Sequence, residues 1–242
     1  MIRRLATLLL TGLAASSCFG SPPQGSQAPT PSAVPSVSEG PPPTYLVLQT
    51  ASATGNTMST GVKIIDLHGL VAASASFTAP PTPQLANCQS ISQPPVRAAA
   101  GAAFYADSGG VIHRLDTTGK TTTAATFKLS NRLQFLSYAV RSDGGQLMAS
   151  IISAPTTSNG HWTLDLETAP LGGATTVVKH VDLGADLSSG AIVMAGWDSV
   201  GPTATADSDL CVALTPPSVE YAGAALVHLS ISGAVLDRLG GQ

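Results

Sequence analysis

The sequence is short of the residues that mark several functional classes. Only 10% of its 242 residues are charged, 5% are aromatic and three are cysteine. With a net charge of −3 and no basic patch interleaved with aromatic residues, the composition argues against a nucleic-acid partner. The chain is also not a disordered acidic tail, because 43% of its residues are apolar. A chain of this length and composition can bury a core.

Motifs that carry chemistry are missing as well. The sequence has no G-x-S-x-G elbow, no H-E-x-x-H helix, no C-x-x-C and no phosphate-binding glycine loop. Its five histidines are dispersed without the spacing of metal ligands, and we interpret them as residues of sheets. Asp207-Ser208-Asp209 carries oxygens that suit calcium but lacks the rest of a calcium loop. We therefore predict no catalytic residue, no metal and no cofactor.

Helical periodicity is absent too. Glycine and proline, 24 and 18 residues, interrupt the chain every few positions, and no amphipathic helical stretch lies between them. The remaining pattern is one of short apolar and β-branched runs separated by turn residues. This pattern predicts an all-β domain over residues 44–242.

The clearest element is the segment 138–152, YAVRSDGGQLMASII. Its two apolar runs flank Ser142-Asp143-Gly144-Gly145, in which the aspartate can bond backbone amides and the glycines allow positive φ. This pattern predicts a β-hairpin. Two further strands, residues 161–166 and 175–181, complete a unit of four short strands.

The rest of the domain follows the same plan. The units over residues 96–127 and 191–239 each contain four predicted strands, the latter with an insertion at 207–221, and the unit over residues 45–77 contains three. The third strands align, at a spacing of roughly fifty residues, as VKIIDLHG, VIHRLDTTG, WTLDLETA and VHLSISG. Serial units of this kind predict a β-propeller of four-stranded antiparallel blades, with about four blades present.

Two turns have a similar composition, Arg141-Ser142-Asp143-Gly144 and Asp116-Thr117-Thr118-Gly119-Lys120. They resemble the turns of WD-repeat and TolB-like propellers, in which a Ser-Pro-Asp-Gly-Lys turn links the two inner strands. The resemblance covers residues 44–240 and implies the fold only. Four units are few for a ring, and the first lacks its innermost strand, so we expect an incomplete propeller that is part of a larger one. A four-bladed ring with one thin blade is the alternative.

The N-terminus carries a targeting segment. Arg3 and Arg4 precede an apolar run, residues 5–15, that is too short to span a bilayer, and small residues precede Cys18. Residues 1–17 resemble a bacterial lipoprotein signal, which implies that the Cys18 thiol carries a diacylglycerol; an ordinary secretory signal is the alternative. Residues 18–43, rich in proline and serine, predict an extended, disordered tether. We expect an extracytoplasmic protein anchored to the cell membrane.

Few residues stand out as a ligand site. Trp197 and Asp198 end an inner strand and are candidates to face a ligand, although a tryptophan there also suits the core between blades. Cys88 and Cys211 lie in long loops, and whether they form a disulfide stays open. Five aspartates at predicted turns suit either an acidic rim or bonds to backbone amides, and we favour the second: Asp66, Asp116, Asp143, Asp165 and Asp198.

The favoured function is a binding or protein-interaction module that presents loop faces to an unknown protein or small-molecule ligand. A propeller lyase or hydrolase, with its site over the central channel, is the second interpretation, and a passive envelope spacer is the third. Histidine and carboxylates gathered at inner strand ends would favour the enzyme. An apolar and aromatic rim would favour binding.

Overall fold

A computed structural model describes residues 45–54, 57–80, 88–89, 96–130, 133–157, 159–185, 191–208, 212–213 and 225–239. These residues belong to one unit of the chain, Pro42–Gln242, and form seventeen β-strands and no helix. Among them there is accordingly no helix with the length and apolar character needed to cross a membrane. The targeting segment, the tether, Cys18 and Cys211 lie outside the described residues.

Antiparallel pairing groups the strands into four larger sheets and one short ribbon. Sheet 1 contains β1 (Tyr45–Thr54), β2 (Thr57–Asp66) and β3 (Val71–Phe77). Sheet 2 contains β5 (Val96–Ala99), β6 (Ala102–Ala106), β7 (Val111–Leu115) and β8 (Thr121–Thr126). Sheet 3 contains β9 (Gln134–Val140), β10 (Gln146–Ser153), β11 (Trp162–Pro170) and β12 (Thr176–Gly184). Sheet 4 contains β13 (Ala191–Trp197), β14 (Pro202–Ser208), β16 (Ala225–Leu229) and β17 (Val235–Leu239), and the ribbon pairs β4 (Cys88–Gln89) with β15 (Val212–Ala213).

Aspartate side chains close the tight turns between strands. In the predicted β9–β10 hairpin, Asp143 Oδ1 accepts the Gly145 amide at 2.8 Å, while Gly144 takes a φ of 71°. Asp66, Asp116 and Asp198 accept backbone amides in the same way. The backbone-bonding interpretation is therefore confirmed for these four aspartates. It is wrong for the fifth, Asp165, which lies within β11 and bonds His180 instead.

In sheets 2, 3 and 4 the first two strands are more buried than the fourth, whereas in sheet 1 the first strand, β1, is largely exposed. All five residues of β6 are buried, and β10 has six consecutive buried residues, which means that both faces of these strands are covered. The fourth strands β8, β12 and β17 are exposed over much of their length. This gradient is the one expected when sheets pack radially, with their first strands near a common axis.

Three apolar clusters join the sheets in chain order. Ile64 packs with Leu115 between sheets 1 and 2, Phe104 with Ile151 between sheets 2 and 3, and Met148 with Met194 between sheets 3 and 4. The fold is thus an all-β arrangement of propeller blades, as predicted. Within the described residues sheet 1 has three strands where the others have four, which is consistent with an incomplete propeller.

The structure corrects the predicted strands of sheet 1 and two other assignments. The predicted strands covered residues 45–50, 62–67 and 70–77, whereas β1 and β2 form one long hairpin paired as far as Thr54 and Thr57. His161 precedes β11 and does not lie in a third strand, as the alignment had placed it. The β4–β15 ribbon was not predicted, because it joins the proline-rich loop at residues 80–95, between the first two units, to the insertion at 207–221 in the last unit.

Candidate functional site

A cleft of about 620 Å³ opens between sheets 1 and 2. This volume falls in the range typical of small-ligand sites, roughly 300–1,000 Å³. Three rings and one carboxylate form its most distinctive part: Phe77, Tyr105, His113 and Asp107. We refer to it as the aromatic cleft.

Strand pairing places the rings of the aromatic cleft. Tyr105 on β6 lies opposite His113 on β7, so both side chains point to the face of sheet 2 that meets sheet 1. Their rings stack with centroids 5.1 Å apart, and Phe77 from β3 lies 4.7 Å from the Tyr105 ring. Tyr105 is only 4% exposed, whereas Phe77 and His113, which each contact its ring, are partly buried and are the more accessible rings of the cleft.

Asp107 fixes the orientation of His113. It follows Tyr105 by two residues, and its Oδ2 lies 2.9 Å from His113 Nε2, while its Oδ1 accepts the amides of Gly109 and Val111. Partial burial disfavours the charge of this carboxylate. The bonds from His113, Val111 and Gly109 outweigh burial and hold the pKa of Asp107 below its ordinary value.

The Asp107 carboxylate determines which ring nitrogen of His113 carries the proton. An ionised carboxylate can only accept, so Nε2 is the donor, and in the tautomer that carries its proton on Nε2 alone, Nδ1 is an acceptor. Among the described residues Nδ1 of His113 has no hydrogen-bond partner. The aromatic cleft therefore holds an oriented imidazole with one nitrogen available to a ligand.

Hydroxyl groups surround the rings of the aromatic cleft. The hydroxyl-bearing residues of its lining are Ser76, Thr78, Ser108 and Thr121. Each hydroxyl can donate or accept a hydrogen bond, so this rim can adapt to ligand groups of either kind. None of the described lining residues is a lysine or an arginine.

A second cluster of histidine and carboxylates lies in sheet 4. His228 Nε2 is 2.6 Å from Asp198, which directly follows β13, and His228 Nδ1 is 2.7 Å from Asp237. The bond with Asp198, assisted by Asp237 and opposed by burial, raises the pKa of His228. Both ring nitrogens are engaged by carboxylates, which leaves this buried imidazole neither a lone pair nor a free proton for a substrate. We interpret the cluster as structural.

The other described histidine–aspartate pairs lie on the outer strands of sheet 3. His180 bonds Asp165 at 2.6 Å and His161 bonds Asp182 at 2.8 Å, in both cases with exposed imidazoles. Within the described residues no group of three or more histidine, cysteine, aspartate or glutamate side chains is placed to hold a metal ion.

The inner strands of sheets 2, 3 and 4 meet around an arginine. From β5, Arg97 Nε donates to the Tyr138 carbonyl on β9 at 3.0 Å, and its terminal nitrogen donates to the Met194 carbonyl on β13 at 3.2 Å. Met194 in turn donates its amide to Ser137 Oγ. The centre of the described structure is thus bridged by a cation bound to backbone carbonyls.

The residues singled out in the sequence do not gather at the aromatic cleft. Trp197 lies half-buried against the core between sheets 3 and 4, and Asp198 bonds the Val200 amide and His228; a role for either in ligand binding stays a prediction. Cys88 belongs to the ribbon, whereas its predicted partner Cys211 lies outside the described residues. Asp209 of the Asp207-Ser208-Asp209 segment also lies outside them. The disulfide stays a prediction.

Sequence reasoning had part of the signal for the cleft. The Asp107-Ser108-Gly109-Gly110 turn predicts a hairpin that brings β6 and β7 together, but counting outwards from its four residues pairs Tyr105 with Ile112. In the structure Asp107 pairs with Val111, which shifts the register by one residue and places Tyr105 opposite His113. Phe77 gave no such signal, because it reaches the site only through packing of sheet 1 on sheet 2.

Comparisons with known proteins assign no family to the chain. No protein-family model matches the chain, and no curated protein matches it. Among solved structures it is similar to one described as "Oligogalacturonate lyase in complex with manganese", at 11% sequence identity and a TM-score of 0.40. The match covers 75% of this chain and 57% of the lyase chain. The chain is an all-β protein built of propeller-type antiparallel sheets.

Proposed function

We propose that the protein is a membrane-anchored, extracytoplasmic binding module that takes its ligand in the aromatic cleft. The observation that carries this proposal is the geometry of Phe77, His113 and Asp107. A partly buried apolar ring and an oriented imidazole, each in contact with the Tyr105 ring, line the same cleft, and the imidazole has one nitrogen unused by the described residues. Sites that bind small ligands combine apolar walls with a few fixed polar groups in this way.

The anchoring part of the proposal rests on the N-terminal residues. A basic start, a short apolar run and small residues before Cys18 favour cleavage at that cysteine and lipid attachment to it. The proline-rich residues 18–43 would then hold the β domain away from the membrane, because such chains stay extended.

The alternative of a propeller lyase or hydrolase draws on one observation. Asp198 directly follows the inner strand β13 and bonds His228 on the third strand β16. His228 also bonds Asp237 on the outer strand β17, so a histidine and two carboxylates meet, with one of the carboxylates at an inner strand end. Both nitrogens of that imidazole are already bonded to carboxylates, so proton transfer to a substrate would first require one of those bonds to break. For this reason we favour binding over catalysis.

The binding test follows the imidazole signals of the full-length protein in detergent micelles. The protein, labelled with ¹⁵N in its histidines, is titrated separately with neutral glycans, uronic-acid glycans and a peptide library. His113→Gln assigns the His113 signals, and the exposed His180 serves as the control within the same molecule. We expect at least one probe class to shift the His113 signals while His180 stays unchanged. If no probe shifts His113, the proposal is wrong.

The anchor test compares Cys18→Ser with the matched variant Ser17→Ala. Cells are fed an alkyne-bearing fatty acid, and the membrane fraction is examined for the labelled protein. Wild type and Ser17→Ala should be labelled and sediment with membranes, whereas Cys18→Ser should lose the label. An unlabelled wild-type protein would contradict lipid attachment at Cys18. It would not bear on ligand binding in the aromatic cleft.

A further inference from the structure

We infer that the ligand of the aromatic cleft is a neutral saccharide whose ring stacks on Phe77 and whose hydroxyl donates to His113 Nδ1. This inference rests on the proposed function and adds the class of ligand. It follows from three properties of the lining: the shape of the apolar surface, the kinds of polar groups and the charge.

The apolar surface of the cleft suits one flat ring. Phe77 is in contact with the buried Tyr105 ring at 4.7 Å, so its position is fixed before a ligand arrives. A sugar ring has one face made of C–H groups and a periphery made of hydroxyls, and such a face packs against an aromatic ring. The remainder of the lining is rich in hydroxyls, which pair with the sugar periphery.

The fixed polar groups of the cleft are acceptors. His113 offers Nδ1, and Asp107 Oδ2 retains a lone pair beyond its bond to His113. Ligand groups that pair with these two atoms must donate, as hydroxyls do. Ser76, Thr78, Ser108 and Thr121 can take the donor or the acceptor role as the ligand requires.

Charge separates neutral from acidic saccharides. The described lining carries one anion, Asp107, and no lysine or arginine, so a uronic acid in the cleft would meet repulsion and no compensating cation. The Asp107 carboxylate is already held by His113 and by the amides of Gly109 and Val111. One position on Oδ2 remains for a donor, which a ligand hydroxyl or an ammonium can fill, and the cationic probe of the test distinguishes the two.

The test measures affinity by calorimetry on the full-length protein in detergent micelles. The probes are a neutral glycan set, the same sizes of glycan bearing uronic acids, and butylammonium as a cationic probe. The variants are Phe77→Leu, which keeps apolar volume without a ring, and His113→Gln. Phe135→Leu is the matched control, since Phe135 pairs with Trp162 far from the cleft. We expect a neutral glycan to bind, Phe77→Leu to weaken it by about five- to tenfold, and Phe135→Leu to leave it unchanged.

Each other outcome overturns a stated part of the inference. If uronic-acid glycans or butylammonium bind with the same sensitivity to Phe77→Leu, the class of ligand is wrong and the binding module stands. If a neutral glycan binds equally to wild type, Phe77→Leu and Phe135→Leu, it binds elsewhere and the inference fails. If none of these probes binds but peptides shift the His113 signals, the assignment of a saccharide ligand is wrong and the cleft is still a binding site. If no probe and no peptide binds in the cleft, both the saccharide inference and the proposed binding function are wrong.

Discussion

Replacement of Arg97 by alanine should destabilise the fold more than replacement of any exposed arginine. The Arg97 guanidinium bonds the carbonyls of Tyr138 and Met194, so it ties the first strands of three sheets together. Hydrogen bonds from a charged donor each contribute about 1.5 to 3 kcal/mol. Burial, which lowers the pKa of Arg97, offsets part of this gain. We expect a net loss of about 2 to 4 kcal/mol, or about 6 to 12 °C in Tm.

The assay is thermal and urea unfolding followed by circular dichroism. Arg141→Ala is the matched control, because Arg141 pairs with Asp143 at the surface and both side chains are largely exposed. Arg97→Lys should fall between wild type and Arg97→Ala, since an ammonium on a flexible stem cannot reproduce the fork of a guanidinium. If Arg97→Ala unfolds at the same temperature as Arg141→Ala, the central bridge does not hold the sheets together.

Four further substitutions test the turns and the buried histidine. Gly110→Ala should cost about 3 kcal/mol or more, because φ is 80° and the new Cβ would overlap the Phe127 carbonyl, whereas Gly119→Ala, at a φ of 86° in open space, should cost about 1 kcal/mol in urea titrations. Ala100→Asn should stabilise the β5–β6 hairpin by about 0.5 to 1 kcal/mol, because Ala100 has a φ of 48°, and a lower Tm would contradict this. Because the pKa of His228 is raised in the folded state, its stabilisation is present at pH 6 and is lost as pH rises through that raised value. The difference in Tm between wild type and His228→Gln should therefore shrink between pH 6 and pH 9. A difference that grows would refute the raised pKa of His228 in the folded state.

Local sequence signals predicted most of sheets 2 to 4. The β9–β10 hairpin follows from its turn residues and two apolar runs, and the same logic located β6, β7 and β13. In sheet 1 the sequence pattern did not predict the ends of β1 and β2 that pair near Thr54 and Thr57. Residues 51–54 and 57–61 are mostly serine, threonine, alanine and glycine without apolar alternation, so only pairing within the folded sheet shows that they are strands.

The candidate site was less predictable than the fold. Phe77 meets Tyr105, and Arg97 meets Tyr138 and Met194, across sheet interfaces that separate them by many residues in the chain. Turn chemistry and alternation specify pairs within a hairpin and say nothing about which face of one sheet covers the next. The bond between Asp107 and His113 is the exception, because a single hairpin brings both residues together.

The aromatic cleft forms only if sheet 1 packs against sheet 2. A nuclear Overhauser spectrum of the protein with labelled aromatic residues measures this contact. Ring protons of Phe77 should show cross-peaks to Tyr105, and those of Tyr105 to His113, as their centroid distances of 4.7 Å and 5.1 Å require. A spectrum in which Tyr105 contacts His113 but Phe77 contacts neither would show that the two sheets do not meet there, and would contradict the cleft.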